Sequence, residues 1–372
     1  MDFNLHIPVR VLSGNGVLPQ NAALLKRFGK CCLIVTGKHS AALSGALDDM
    51  KNALRAQDVD FAVYSEIGPN PLLSACRKAG TLARDMGADF IVGIGGGSAL
   101  DAAKAAAVYA ANPAFNETDI YKPDRSPALP LVLVGTTAGT GSEVGKVSVL
   151  TNDKTGRKKS ISGDDLYPAL TFADPHYTAS MPYGVTVSTA LDALSHAMEG
   201  YCTAKCTDVP ALCGEKAMAM LWNGLTALLK TKALPDETMR AQLYYGSLWA
   251  GITLAYCGTA FPHPLGYILT ENHGTLHGTA CAVFLPAFLR RACAHTPDKA
   301  AKMLAAMGTD ADTFCSTVEA LTDLRGVTLT KEEIDLACTR WDDAVPNNFK
   351  QSPGGFTKQD AQQLLYQIFL GR

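Results

Sequence analysis

The sequence predicts an α/β domain over residues 1–181 and an all-α domain over residues 182–372. Short apolar runs alternate with helix-like segments up to about residue 180, which is the pattern of a parallel sheet covered by helices on both faces. After DPHYTASMPYG (174–184), strand-like runs become scarce and long stretches with helical periodicity follow. A chain of 372 residues also exceeds the usual size of one hydrophobic core, so two domains are expected.

The first domain is predicted from its apolar runs and the segments between them. Strands are expected at CCLIVTG (31–37) and DFAVYSEI (60–67), and helices at ALSGALDDMKNALRAQ (42–57) and PLLSACRKAGTLARDMG (71–87). The segment DFIVGIGGGSALDAAKAAAVYA (89–110) predicts a strand, a glycine turn and a helix. This order of elements is typical of a parallel, Rossmann-like sheet.

Two glycine-rich turns follow buried strands and suit a phosphorylated ligand. In the first, Gly95, Gly96 and Gly97 let the main chain approach a ligand, and Ser98 and the first helical amides can donate hydrogen bonds to phosphate. In the second, LPLVLVGTTAGTGSEV (129–144), hydroxyl groups join glycine amides in a polar cradle. These hydroxyls belong to Thr136, Thr137, Thr140 and Ser142. Because the spacing matches neither GxGxxG with its acidic residue nor a P-loop, tight strand–helix packing remains an alternative, but two such turns favour a nucleotide.

The predicted helical domain contains a candidate metal site. In TALDALSHAMEGY (189–201), Asp192 and His196 project from one helix face, where both side chains reach the same point. Alone, such a pair is more often a hydrogen-bonded polar pair than a metal site. The segment AFPHPLGYILTENHGTLHGTACAVFLP (260–286) adds three of the chain's eight histidines, His263, His273 and His277. One carboxylate with two or three imidazoles is a ligand set for Zn²⁺ or Fe(II).

Composition excludes several classes of partner. The residues are 47% hydrophobic and 18% charged, and the net charge is -2, which offers no basic surface for nucleic acid or an anionic membrane. No apolar run is long enough for a membrane span, and the N-terminal residues lack the pattern of a signal peptide. The eleven cysteines are an odd number without disulfide spacing, so we expect buried thiols in the cytoplasm. A homodimer is expected because dimers are the commonest assembly.

These motifs resemble those of the iron-containing (group III) alcohol dehydrogenase family. GGGSALDAAK, TTAGTGSEV, ALDALSHAMEGY, HPLGY and HGTACAVFLP occur in the family's order over nearly the whole chain. The resemblance implies a dehydroquinate synthase-like fold, in which a dinucleotide-binding α/β domain precedes an all-α metal-binding domain. It also implies NAD(P)-linked interconversion of alcohols and aldehydes or ketones.

The resemblance also implies the metal ligands, which are Asp192, His196, His263 and His277. The family separates its last two ligands by 14 residues and places the last before a small-residue run ending in Leu-Pro, so His277 matches and His273 does not. Many members carry another histidine four residues after the third ligand, where this chain has Tyr267. Tyr267 and His273 are therefore candidates for a proton relay through water, and they join the four ligands as candidate catalytic residues.

Cofactor choice is expected to depend on the end of the strand CCLIVTG. NAD-preferring members of the family tend to have an acidic residue there, whereas this chain has Gly37 followed by Lys38, His39 and Ser40. A nearby cation without a repelling carboxylate favours NADP(H) over NAD(H), although Lys38 could also begin a solvated helical turn. The candidate cofactor-binding residues are Gly37, Lys38, Ser40, Gly95, Gly96, Gly97, Ser98, Asp101, Thr136, Thr137, Thr140, Ser142 and Lys158.

The predicted function is a metal-dependent, NAD(P)-linked alcohol dehydrogenase or aldehyde reductase acting on short-chain primary alcohols or aldehydes. The metal, Fe(II) by resemblance and Zn²⁺ by ligand chemistry, polarises the substrate oxygen for hydride transfer. Three alternatives share features of the sequence. They are a polyol enzyme like glycerol dehydrogenase, a lyase like dehydroquinate synthase, and a non-catalytic nucleotide-binding protein.

Overall fold

The chain forms two compact units. The computed structural model describes residues 5–371, except the side chain of Arg325. The first unit comprises residues 5–181 and 236–244, and the second comprises residues 182–235 and 245–371. The segment 236–244 therefore groups with the α/β unit, although its sequence position lies in the predicted helical domain. In the described part of the chain, no helix is both long enough and apolar enough to cross a membrane.

The first unit is built on a six-stranded parallel sheet. The strands of the chain are β1 (Arg10–Ser13), β2 (Cys31–Gly37), β3 (Asp60–Ile67), β4 (Phe90–Gly95), β5 (Leu131–Gly135), β6 (Val147–Thr151), β7 (Lys158–Ser162) and β8 (Leu170–Ala173). The large sheet has the order β1-β8-β5-β4-β2-β3, and all of its pairs are parallel. β6 and β7 form a separate antiparallel hairpin. The Rossmann-like parallel sheet predicted from the sequence is confirmed.

Apolar residues on both faces of the sheet explain its central position. Along β2, Leu33 belongs to one buried core and its neighbour Ile34 to the other, and Ile91 and Val92 of β4 divide in the same way. Strands buried on both faces have nearly continuous apolar sequences, as these do. The sheet is therefore covered on both sides, as the alternation of strands and helices predicted.

The helices of the first unit match most of the predicted segments. They are α1 (Val17–Gln20), α2 (Ser40–Leu43), α3 (Ala46–Ala56), α4 (Leu73–Asp85) and α5 (Gly97–Ala111), with 3-10 helices at Ala22–Arg27, Glu117–Tyr121, Ser142–Val144, Asp164–Leu166 and Pro175–Thr178. The prediction of one helix over 42–57 is wrong, because the chain breaks between α2 and α3. Gly45 has a φ of 83° there, in the left-handed region that glycine adopts without steric cost.

The pairing of β4 with β5 fixes the position of the two glycine-rich turns. Gly95 and Gly135, the last residues of these strands, lie opposite each other in the register. The amide of Thr136 then donates a hydrogen bond to the carbonyl of Gly95, with an N···O distance of 2.9 Å. Both turns therefore begin side by side at the carboxyl edge of the sheet, where open α/β sheets bind their ligands.

The second unit is helical. Its helices are α6 (Tyr183–Cys202), α7 (Asp208–Thr231), α8 (Glu237–Cys257), α9 (Pro262–His273), α10 (His277–Ala282), α11 (Leu285–His295), α12 (Pro297–Met307), α13 (Ala311–Thr322), α14 (Lys331–Cys338), α15 (Asn347–Gln351) and α16 (Lys358–Phe369), with 3-10 helices at Leu324–Gly326 and Thr339–Trp341. The first residues of α8 belong to the other unit. α6 is buried on nearly all sides from Thr186 to Cys202, so it is the central helix of this unit.

Candidate metal centre and nucleotide-binding turns

Three imidazole rings converge on one carboxylate oxygen in the helical unit. Asp192 and His196 lie one turn apart on α6, His263 lies in the first turn of α9, and His277 begins α10. The Nε2 atoms of His196, His263 and His277 lie 3.7, 3.8 and 3.9 Å from Oδ1 of Asp192. The structure therefore brings together the four residues that the family motifs imply.

This cluster is buried except at one member. Asp192, His196 and His263 are almost inaccessible to water, whereas 31% of the His277 side chain is exposed. The rings of His196 and His263 stack with centroids 4.8 Å apart, and the ring of His277 meets His263 edge-on. Water and small molecules can therefore approach the cluster from the side of His277.

Close backbone packing brings α10 against α6. A Cβ atom on Gly278 would lie 1.8 Å from the carbonyl oxygen of Ser188 and 2.7 Å from Cβ of Asp192. The amide of Thr279 donates a hydrogen bond to Oγ of Ser188 at 3.1 Å. Only glycine permits this approach, and it places the neighbouring His277 beside Asp192.

A buried glutamate orients one of the histidines, and sequence reasoning missed it. Oε1 of Glu199 lies 2.7 Å from Nδ1 of His263, and its Oε2 accepts a hydrogen bond from the amide of Ala260. Burial raises the pKa of the Glu199 carboxyl, and the His263 ring opposes that shift. In the tautomer whose Nδ1 donates to Glu199, Nε2 of His263 carries the lone pair, which a metal ligand requires. The signal in the sequence was the spacing, because Glu199 follows Asp192 by two helical turns.

A cysteine is the second member that sequence reasoning missed. Among the described residues, Asp192, His263, His277 and Cys281 form a group whose donor atoms all lie within 4.8 Å of one another. Cys281 follows His277 by one turn of α10, so the two side chains share a helix face.

The donor set fits a divalent transition metal. Ligands bound tetrahedrally to one ion at about 2.0–2.2 Å lie about 3.4 Å from each other. The observed separations of 3.7 to 3.9 Å are too long for hydrogen bonds and are a few tenths of an ångström from that value. Imidazole nitrogens with one carboxylate suit Zn²⁺ or Fe(II), whereas Mg²⁺ and Ca²⁺ prefer oxygen donors.

Of the two residues predicted for proton transfer, Tyr267 lies beside the cluster. Its ring stacks on that of His277 with centroids 5.5 Å apart. Loss of hydration, helped by nearby acidic groups, raises the pKa of the Tyr267 phenol, so the phenol keeps its proton at neutral pH. His273 ends α9, and its Nε2 atom has no hydrogen-bond partner among the described residues. No hydrogen bond, ion pair or ring contact among the described residues joins His273 to the cluster.

In the α/β unit, the two predicted turns touch each other. A Cβ atom on Gly96 would lie 3.0 Å from the side chain of Thr137, and one on Gly97 would lie 2.5 Å from that of Thr140. The hydroxyl of Thr136 is buried and has no hydrogen-bond partner in the described part of the chain. The turns thus form one surface of glycine main chain and threonine hydroxyls at the carboxyl edge of the sheet, next to the N-terminus of α5.

Asp101 and Ser142, two predicted cofactor residues, belong to a partly buried polar network. The hydroxyl of Ser142 donates to Asp101 at 2.7 Å, and Lys104 donates to the same hydroxyl at 2.8 Å. Burial lowers the pKa of Lys104 to about 8, against the pull of Asp101 and Glu143, and raises the pKa of the Asp101 carboxyl. Burial also raises the pKa of Glu143 to about 7, although the positive charge of Lys104 opposes the shift. These polar groups hold the second turn against α5.

The remaining candidate residues lie at four places in the first unit. Gly37 ends β2, and Lys38 after it is exposed, with its Nζ 3.9 Å from a carboxylate oxygen of Glu66. Ser40 begins α2 and lies near both Gly37 and Gly95. Oγ of Ser98 accepts a hydrogen bond from the amide of Asn70 at 3.2 Å. Lys158 begins β7 of the hairpin.

The fold and the site together are those of a class of dehydrogenases. In this class a Rossmann-like unit precedes a helical unit that carries a histidine–carboxylate cluster. The model of iron-containing alcohol dehydrogenases matches residues 8–175, and the C-terminal model of the same family matches residues 186–337. The chain belongs to the iron-containing alcohol dehydrogenase family.

Individual relatives agree with this assignment. The chain is 32% identical over 315 residues to long-chain-alcohol dehydrogenase 1 of Geobacillus thermodenitrificans, covering 82% of this chain and 78% of the relative. The crystal structure of an iron-containing alcohol dehydrogenase from Thermotoga maritima is 31% identical, with a TM-score of 0.90 over 99% of both chains. Sulfoacetaldehyde reductase from Bifidobacterium kashiwanohense, solved with NAD⁺, is 26% identical, with a TM-score of 0.87 over 99% of both chains. These matches support the predicted dehydrogenase and give no support to the polyol, lyase or non-catalytic alternatives.

Proposed function

We propose that this enzyme interconverts short-chain primary alcohols and aldehydes, with a divalent metal held by Asp192, His196, His263 and His277. The observation that carries the proposal is the convergence of three Nε2 atoms at 3.7 to 3.9 Å on one oxygen of Asp192. Fe(II) is preferred because the matched family is iron-containing, and the donor atoms also suit Zn²⁺.

The chain's own residues prepare the site for this chemistry. A bound divalent ion supplies Lewis-acid polarisation of the substrate oxygen. NAD(P), when bound, would supply or accept the hydride. Glu199 keeps the proton of His263 on Nδ1, so that the opposite nitrogen is available as a ligand. Tyr267, whose ring stacks on that of His277, can donate a hydrogen bond beside the proposed metal.

The cofactor is proposed to bind at the two glycine-rich turns and at the end of β2. The main chain of Gly95, Gly96 and Gly97 and the N-terminus of α5 suit a pyrophosphate, and the hydroxyls of the second turn suit the rest of the dinucleotide. NADP(H) is proposed over NAD(H), because Gly37 carries no carboxylate and the exposed Lys38 can meet a 2'-phosphate. The carboxylate of Glu66, 3.9 Å from Nζ of Lys38, acts in the opposite direction, because a negative charge there would repel a 2'-phosphate and so favour NAD(H).

The test is the initial rate of NADPH and NADH oxidation with short aldehydes, measured anaerobically with added Fe(II). We expect turnover that disappears on chelation, returns with metal and has a higher kcat/KM with NADPH. Asp192→Asn should abolish metal binding and turnover, whereas Asp312→Asn, at an exposed position of α13, should change neither. A metal-loaded protein without activity on any aldehyde would refute the proposed function.

We also propose a domain boundary between residues 181 and 182 and a homodimer in the cytoplasm. The odd number of cysteines supports a reducing compartment, and dimers are the commonest assembly. Light scattering of the purified protein tests the dimer, since a monomer mass would refute it.

A further inference from the structure

The thiol of Cys281 lies in the shell of donors around Asp192. Its Sγ is 3.7 Å from Nδ1 and 3.9 Å from Nε2 of His277. It also lies within 4.8 Å of donor atoms of Asp192 and His263. Nε2 of His277 is thus equally far, 3.9 Å, from Sγ of Cys281 and from Oδ1 of Asp192.

The main chain of α9 packs directly against this cysteine. A Cβ atom on Gly266 would lie 2.7 Å from Sγ and 2.9 Å from the amide nitrogen of Cys281. Gly266 also follows His263 by three residues on the same helix, so the contact sets the position of the sulfur relative to that ring. Cys281 is buried, and it therefore lies among the other donors without competition from bulk water.

We propose that Cys281 is a further metal ligand, a thiolate that adds sulfur to the nitrogen and oxygen donors of the proposed site. This inference rests on the proposed metal-dependent function. With five donors the ion is five-coordinate, and sulfur at about 2.3 Å and nitrogen at about 2.0–2.1 Å on neighbouring positions, about 90–120° apart, lie about 3.1–3.8 Å from each other. The observed distance of 3.9 Å to Nε2 of His277 is close to the upper end of this range. When the sulfur binds, the thiol proton is released to water and no electron is transferred.

A thiolate ligand changes which metals the site prefers. Soft sulfur favours Zn²⁺ and Co²⁺, whereas Mn²⁺ gains little from it. Cys281→Ser should therefore weaken Zn²⁺ binding by about tenfold or more, a loss at least as large as that from removing an outer hydrogen-bond partner of a ligand. The same substitution should change Mn²⁺ affinity far less. The ratio of the two affinities separates loss of a sulfur ligand from a general disturbance of the site.

The experiment uses the whole protein loaded with Zn²⁺ or Co²⁺. Zinc-edge X-ray absorption of the unmodified chain should contain one sulfur scatterer at about 2.3 Å, and the Co²⁺ form should have a sulfur-to-metal charge-transfer band in the near ultraviolet. The band should disappear in Cys281→Ser and Cys281→Ala. It should persist in Cys293→Ser, because Cys293 is an exposed free thiol on α11.

The outcomes distinguish this inference from the proposed function. Bound metal with only nitrogen and oxygen scatterers would overturn the role of Cys281 and leave the four-residue site intact. Failure of the unmodified chain to bind metal would overturn both. Because the absorption spectrum of the unmodified protein is decisive, the test does not depend on whether the Cys281 variants fold.

Discussion

Replacing Gly278 by alanine should displace α10 and separate His277 from Asp192. The new Cβ would begin 1.8 Å from the carbonyl oxygen of Ser188, whereas real Cβ contacts are not shorter than 3.0 Å. The obstacle is main chain of the central helix α6, so α10 must move by about 1.2 Å to relieve it. That movement is directed away from the helix that carries two of the proposed ligands.

The expected effect follows from this displacement. Overpacking of a rigid interior costs about 1–3 kcal/mol of unfolding free energy, and a main-chain obstacle favours the upper end of that range. A shift of this size should also lower activity by about a hundredfold, because reacting groups lose their alignment. We expect Zn²⁺ affinity to fall as well, since His277 moves from its 3.9 Å separation from Asp192.

The measurements are denaturant unfolding and Zn²⁺ titration of Gly278→Ala beside a matched control. Gly184→Ala serves as the control, because Gly184 lies in the first turn of α6 and a Cβ there meets nothing within 4 Å. An alanine at an open helical position should be neutral or stabilise the protein by up to about 1 kcal/mol. Equal Zn²⁺ affinity of Gly278→Ala and Gly184→Ala would contradict the claim that close packing of α10 on α6 positions His277.

Three further substitutions test other parts of the molecule. Glu199→Gln should weaken Zn²⁺ binding by about 10–100-fold in calorimetric titration, because the ring of His263 loses its carboxylate partner; unchanged affinity would contradict this role. Lys38→Glu should shift kcat/KM from NADPH towards NADH, and an unchanged ratio would place cofactor discrimination elsewhere. Burial raises the pKa of Glu143 from its usual 4.5 to about 7, so the folded chain binds more protons than the unfolded chain between these values. Stability should therefore fall as pH rises from about 4.5 through 7, by up to about 3 kcal/mol, and Glu143→Gln should flatten this dependence in unfolding experiments at several pH values.

The parallel sheet could be predicted because local and global signals agree in it. Apolar strands, glycine turns and intervening helices can each be recognised from a short stretch of sequence. In the structure β4 and β5 are neighbours, and the turns that follow them are in contact. The convergence of Asp192 with His196 was visible as helical spacing, but the positions of His263 and His277 came from the family motifs. The periodicity of the sequence does not show that α9 and α10 pack against α6, because that packing is a tertiary contact.

Features that depend on tertiary contacts could not be predicted. Glu199 and Cys281 lie on the same helices as proposed ligands, yet many polar residues share a helix face without meeting a ligand. The hydrogen bond between Ser142 and Asp101 joins residues 41 positions apart, so both looked available for a cofactor in the sequence. The segment 236–244 groups with the α/β unit although it opens a helix whose remainder belongs to the other unit.

The uneven exposure of the cluster has a consequence for metal exchange kinetics. Asp192, His196 and His263 are sealed in the helical unit, and His277 is the member in contact with solvent. An incoming chelator must therefore approach the proposed metal from the side of His277, because the other donors cannot be reached. Metal release should thus be associative: its rate should rise with chelator concentration, and slim chelators should remove the ion faster than bulky ones of equal affinity. The opening proposed to admit a substrate oxygen would then also be the route by which the proposed metal leaves the site.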